Sequence, residues 1–371
     1  MTGAQEVIVV GGGVIGCGIA WELTRRDVRV TLVERGPIGR EASWASAGII
    51  SLPNRPDWRP ERIALGRLSL KRYPEWVADL ESRTGIAIEY HRPGGWSVAV
   101  DAEHGAVEAE RAAFQLSLGF EVEEVAPEEA RRREPALPRD LVAAWFTPAA
   151  GSLSLHRLTE ALAAAAAAQG AVIRPETPVG SILMENGRAV GVRLSEGDLL
   201  ADRVVLATGA WTRLLADPLG VALPTRPMKG QLIAFANAPV HPHGIISGHH
   251  GYVRPRPDGS TLVAATEEDV GFDHRVTGEG VAWLLNLTRM ICPGLLAGEI
   301  VETWAGLRPG SDTGEPMMGP VPGVDGLWAA TGHFRTGAKE APASAMLMAE
   351  ALATSRIDPL LAAFAPPAAS A

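Results

Sequence analysis

Three glycines carry the first legible chemistry. Gly11, Gly13 and Gly16 stand at G-x-G-x-x-G spacing, after the apolar run 7–10 and at the head of an apolar, helix-compatible segment from Val14 to about Arg26. A strand that ends in such a turn and opens a helix suits a pyrophosphate. One glycine makes the tight turn, one lets the backbone approach the phosphates, and one lets helix and strand pack closely. The helix N-terminus adds free N–H groups and roughly half a positive charge. A second short strand, 28–33, ends on Glu34, about 20 residues past the turn, where a carboxylate grips ribose hydroxyls. The plainer alternative is a glycine-rich turn beside a solvated glutamate. Strand, turn, helix, strand and acid in this order favour an adenine dinucleotide site.

The rest of the chain must hold that turn in place. With 371 residues it is long enough for two closely joined domains. A formal charge of -9 and the lack of a dense Lys/Arg cluster argue against a nucleic-acid surface. Arg131, Arg132 and Arg133 are bracketed by Glu128, Glu129 and Glu134, a pattern that predicts a solvated helix face. The apolar stretch 7–23 is glycine-rich, too short for a bilayer, interrupted by Glu22 and preceded by no basic region. Neither a membrane span nor a signal peptide is expected, and the cytoplasm is the expected compartment. Cys17 and Cys292 are too few for a disulfide framework or a cysteine-rich metal site. Cys17 reads as a small buried residue. His241, His243, His249, His250 and His274 share one β-rich segment without carboxylate or cysteine partners at helical ligand spacing. They read as loop polarity, with no metal.

Periodicity predicts helices near 60–83, 103–117, 126–133, 156–169, 277–291 and 342–355. Strands are predicted at 86–90, 96–100, 141–146, 171–174, 231–235, 251–254 and 262–266. A small antiparallel meander over 179–200 turns at Asn186-Gly187. The stretch 39–50 is rich in small residues and suits a loop passing closely over a ligand. The strand within 202–211 ends at a glycine turn, giving a second backbone approach to the dinucleotide near Gly209 and Trp211. The α/β pattern predicts a dinucleotide domain built from 1–85, 146–225 and 301–371. A mostly antiparallel β domain would be inserted through 86–145 and 226–300, with ligands bound between the two.

Four motifs, in order, cover essentially the whole chain. They are Val-Ile-Val-Val-Gly-Gly-Gly-Val-Ile-Gly at 7–16, Glu41-Ala-Ser-Trp-Ala-Ser-Ala-Gly48, Trp304-Ala-Gly-Leu-Arg-Pro309 and Gly332-His-Phe-Arg335. In them the chain resembles the D-amino-acid oxidase superfamily of flavoproteins, and most closely its glycine oxidase branch. The resemblance implies a Rossmann-like FAD-binding domain with an inserted substrate domain, and FAD as the cofactor. Relatives with covalent flavin use a cysteine after the Trp-Ala-Gly motif, whereas Cys292 precedes it, so non-covalent FAD is expected. It would place Val14, Ile15, Glu34 and Arg35 at the adenosine end, and Ala42, Ser43, Ala47, Gly48 and Ile49 along the phosphates and flavin. The backbone of Val179 would meet the adenine. His333, Phe334, Arg335, Thr336, Gly337, Ala338 and Lys339 would form the loop cradling the isoalloxazine ring.

For the substrate, the resemblance assigns Arg308 to an amino-acid carboxylate, assisted by Tyr252 and Arg335. A guanidinium binds a carboxylate through two parallel hydrogen bonds and so fixes the α-carbon. Plainer readings stand beside these roles: a loop arginine, a core-facing strand tyrosine, and an arginine paired with Glu340 or another acid. The implied reaction passes the α-hydrogen of a small amino acid, glycine or a D-amino acid, as hydride to flavin N5. The imine hydrolyses, and oxygen reoxidises the flavin to give hydrogen peroxide. A secondary-amine dehydrogenase acting on sarcosine, D-proline or hydroxyproline is the alternative, and a non-catalytic flavin subunit a lesser one. A homo-oligomer and a role in thiamine thiazole synthesis are implied by the resemblance alone. Lys339 and Glu340 depart from the apolar residues of glycine oxidases. Either they point away from the ring at a helix start, or Lys339 approaches flavin N1 and O2.

Overall fold

The computed structural model describes residues 5–368. Its first sheet has six strands, in the order Met317–Pro320, Leu327–Thr331, Arg203–Leu206, Glu6–Val10, Arg29–Val33 and Val172–Arg174. All neighbours are parallel except the first pair. Glu6–Val10 is central, with a strand on either side and layers over both faces, which is why its sequence is a continuous apolar run. Over one face lies the helix Val14–Thr24, packed between Leu155–Ala168 and Gly337–Thr354. Ala161, Ala165 and Ala166 are buried in that contact, and their small size lets the helices approach. The meander Val179–Glu185, Arg188–Leu194, Gly197–Leu200 covers the other face through Ile182, Val192 and Leu194. Its turn at Asn186 and Gly187 has φ of 47° and 78°, the left-handed pair that a two-residue hairpin requires.

The second sheet has eight strands, in the order Glu299–Ser311, Thr225–Ala236, Thr261–Ala264, Gly251–Pro255, Ile245–Gly248, Gly95–Ala99, Ala143–Thr147 and Glu123–Val125. It is antiparallel apart from the pairing of Ile245–Gly248 with Gly95–Ala99. Helices Ala102–Ser117 and Gly278–Ile291 pack on it. Three expected segment boundaries fall inside its strands, the one between residues 225 and 226 within Thr225–Ala236. Residue 146 lies within Ala143–Thr147, and residue 301 within Glu299–Ser311, which pairs with Thr225–Ala236 along its length.

Two predicted elements differ. Residues 86–90 form no strand. Ile88 is buried, but its N–H goes to the Glu81 side chain (2.7 Å) and its carbonyl to Ser154 N–H (2.9 Å), so single bonds replace a ladder. The last long helix begins at Gly337, five residues before Pro342, where a start was predicted. Proline inside a helix deprives the carbonyl four residues back of its N–H donor. Here that carbonyl, of Ala338, accepts the hydroxyl of Tyr73, and Ala343 N–H turns to Ser69 Oγ (3.0 Å). Tyr73 and Ser69 lie on the helix Pro60–Thr84, which repairs the interrupted ladder from outside. No described helix is long and apolar enough to cross a membrane.

Candidate active site

The glycine turn is shaped by close backbone contacts. Gly11 has φ +114°, and a Cβ there would lie 2.7 Å from the Ala207 carbonyl carbon. A Cβ on Gly16 would overlap the Gly11 carbonyl oxygen, so this residue serves helix–strand packing. Gly13 has only Ser43 Oγ nearby, at 3.4 Å, leaving its other side open. Glu34 stiffens the turn by accepting Gly12 N–H (2.6 Å) and Gly36 N–H (3.1 Å). Ser43 Oγ accepts Val14 N–H (3.0 Å), taking one of the donors a helix start leaves free.

A cavity of about 810 Å³ runs from this turn to the face of the eight-stranded sheet. Of the residues expected at the cofactor, all but Gly16 line it, from Glu34, Arg35, Val179 and Trp211 at one end to His333 and Lys339 at the other. Arg35 sits over the Trp211 ring at 3.8 Å and pairs with Glu41. The small-residue loop is held from the second sheet: Trp304 Nε1 donates to Ala45 O (3.2 Å) and Arg254 Nη1 to Ala47 O (3.0 Å). His333 is buried, Nε2 against Ser344 Oγ (3.1 Å), with Nδ1 unpartnered. Burial, aided by Arg62, lowers its pKa to about 3 and keeps the ring neutral. An elongated cavity, an open glycine turn on a helix N-terminus and this unpartnered nitrogen fit FAD.

The three substrate candidates line the same cavity but differ in surroundings. Arg308 donates through Nη1 to the carbonyls of Thr266 (3.1 Å) and Lys229 (3.3 Å). Among the described residues no carboxylate lies within 4 Å of it. Burial lowers its pKa, which Tyr252 partly offsets. The Tyr252 phenol is raised by burial, with Arg308 acting the other way. Arg335 is half-exposed and pairs with Glu267, so the alternative pairing with Glu340 does not occur.

Lys339 and Glu340 are both buried, in the first turn of the helix Gly337–Thr354. Glu340 is fully buried, held by Arg62 Nε (2.7 Å) and Thr336 Oγ1 (2.8 Å). Its pKa is raised by burial, against the pull of Arg62 and Lys339. Lys339 Nζ lies over the Trp58 ring at 4.4 Å, and burial lowers its pKa to about 8. Sequence reasoning missed Arg62, although it falls in phase with the buried Leu65, Ser69 and Tyr73. A basic residue on an apolar helix face was the available signal. Gly230 was missed as well, and a glycine inside a strand signals close approach of another group.

His249 departs from the expected loop polarity, because it is buried. It stacks on His104 with 3.9 Å between ring centroids, and its Nδ1 lies 3.9 Å from Asp101 Oδ2. His104 Nδ1 lies 2.9 Å from the same oxygen. Val100 N–H donates to His249 Nε2 (3.3 Å), so the proton of the neutral ring sits on Nδ1, which cannot then ligate a metal. Asp101 caps the helix Ala102–Ser117 through His104 N–H (2.8 Å).

The family described as FAD dependent oxidoreductase (DAO) matches residues 6–351. The chain is 39% identical to a glycine oxidase of Pseudomonas aeruginosa over 350 residues, 94% of each chain. Among solved structures it matches a glycine oxidase from Bacillus cereus with TM-score 0.91 and 30% identity, over 99% of this chain and 100% of that one. It matches an iminodiacetate oxidase from Chelativorans with TM-score 0.90 and 26% identity, over 98% and 100%. Glycine turn, cavity and these likenesses agree: the chain belongs to the D-amino-acid oxidase family of FAD-dependent oxidoreductases.

Proposed function

We propose that this enzyme oxidises a small amino acid, glycine or a D-amino acid, at its α-carbon. The observation that carries the reading is Arg308, a half-buried guanidinium on the cavity wall whose hydrogen-bond partners among the described residues are carbonyls. Burying a cation without a counter-charge costs several kcal/mol, and a ligand carboxylate supplies that charge through two parallel hydrogen bonds. Tyr252, on the neighbouring wall, adds a hydroxyl donor. The turn at Gly11 and Gly13 and the Val14–Thr24 helix start would hold the pyrophosphate, Glu34 the ribose, and residues 333–339 the flavin. When bound, FAD supplies the acceptor for the hydrogen and two electrons that leave the α-carbon, and oxygen takes them on to give hydrogen peroxide. Fixing the carboxylate leaves the α-carbon one bond away with little freedom, and such positioning is the protein's main contribution. The amine must be neutral for its lone pair to assist, and the cationic Arg308 favours loss of its proton.

Anaerobic titration of the yellow holoenzyme with glycine, sarcosine, D-alanine and D-proline tests this. Bleaching by a primary amino acid, with peroxide formed on admitting air, is the expected result. Bleaching by secondary amines alone, with slow reoxidation, would instead identify a dehydrogenase.

A further inference from the structure

The mechanism above leaves a buried carboxylate on the cavity wall without a task. Glu108, on the helix Ala102–Ser117, is 6% exposed and lines the same cavity as Arg308 and Tyr252. Its Oε1 accepts from Arg111, whose side chain is a third exposed and lines the cavity too. Sheet register connects it to the carboxylate clamp. Tyr252 pairs directly with Ser247, and Ser247 with Ser97. Directly paired residues share a sheet face, so three hydroxyls form one row across adjacent strands, and all three residues line the cavity. Ser97 lies two strand spacings from Tyr252, roughly 10 Å, on the strand against which the helix carrying Glu108 packs. A wall meant for glycine alone needs no polar row of this length, still less a buried acid at its end.

We propose that Glu108, with Ser97 and Ser247, forms a distal subsite for a positively charged group on the substrate's side chain or N-substituent, roughly 10 Å from Tyr252. This rests on the amino-acid reading and extends it: the preferred substrates carry a basic tail. Burial outweighs Arg111 at Glu108 and raises its pKa, so one arginine leaves the carboxylate under-compensated and a second cation relieves it. The hydroxyl row hydrogen-bonds the linker or its waters and leaves the chain extended.

Equilibrium binding to the holoenzyme tests the subsite without turnover, using 6-aminohexanoate against hexanoate. Both offer a carboxylate to Arg308, and only the first has a distal ammonium. The expected result is at least tenfold tighter binding of 6-aminohexanoate, with the ratio falling to near one in Glu108→Gln. Equal or tighter binding of hexanoate by the unaltered enzyme overturns the proposal, whether or not the variant folds. So does a preference that survives in Glu108→Gln. The two readings separate cleanly. If glycine reduces the flavin while the ratio is one, the subsite alone falls. If neither glycine nor lysine reduces it while the preference holds, the oxidation reading falls and the subsite stands.

Discussion

The guanidinium of Arg308 lies against the backbone of Gly230, so that a Cβ on Gly230 would stand 2.5 Å from Arg308 Cζ. A methyl group cannot share that space, and the flexible arginine is what yields. Gly230→Ala is therefore expected to fold and to bind FAD, while KM for the amino acid rises about tenfold or more, the equivalent of one weakened charged hydrogen bond. Flavin content and KM, measured together, check this. An unchanged KM would show that Arg308 does not hold the substrate.

Arg308→Met separates function from stability. Two lost charge-assisted bonds at about 1.5–3 kcal/mol each predict a fall in kcat/KM of about 100-fold or more. Without its ligand, the variant should unfold at the same or higher denaturant concentration than the parent, because a half-buried cation with no acid within 4 Å has gone.

Tyr73→Phe removes the donor to Ala338 O and should cost about 1–2 kcal/mol. Pro342→Ala restores an N–H for that carbonyl. In its background the same tyrosine change should cost measurably less, and a double-mutant cycle of denaturation free energies reads the difference. Strict additivity would mean the hydroxyl is not repairing the helix.

Arg62→Met strands Glu340 in the interior and should cost about 3–5 kcal/mol, whereas replacing both residues by Met should recover most of that loss. Urea titration of the three variants reads it.

Lys339 sets a pH dependence of known sign. Its folded pKa, about 8, lies below its unfolded value of 10.5. Below pH 8 both states are protonated and the folded protein carries the full burial penalty. As pH rises from 8 to 10.5 the unfolded chain binds more protons, and the penalty fades. Lys339→Met should stabilise the cofactor-free protein at pH 7 by up to roughly 3 kcal/mol, and the gain should vanish by about pH 10.5. A constant gain across that range would contradict the buried position.

Features written in contiguous residues were legible from the sequence. The glycine turn, Glu34, the Asn186-Gly187 hairpin and the apolar central strand follow from local spacing, and local spacing sets local backbone. What escaped was set by distant partners. Pro342 reads as a helix start because nothing nearby announces that Tyr73 will satisfy the carbonyl it orphans. Residues 86–90 alternate like a strand, yet their backbone is bonded by Glu81 and Ser154. The burial of Lys339 and Glu340 was not legible, because Trp58 and Arg62, which receive them, lie about 280 positions earlier. Arg308 and Tyr252, both on the cavity wall, were singled out through the resemblance, whereas Gly230, which makes space for Arg308, belongs to no motif.

The repair of the last long helix by Tyr73 and Ser69 also bears on how the protein is made. A growing polypeptide emits both residues early, but the carbonyl and N–H they serve belong to residues 338 and 343, near the end. Until residues 333–343 have been made, the polar groups of the early helix face an unfinished core, and the cavity lacks the wall formed by 333–339. Cofactor capture would then wait for these residues, and truncation before the helix Gly337–Thr354 should yield colourless protein however much of the glycine turn survives.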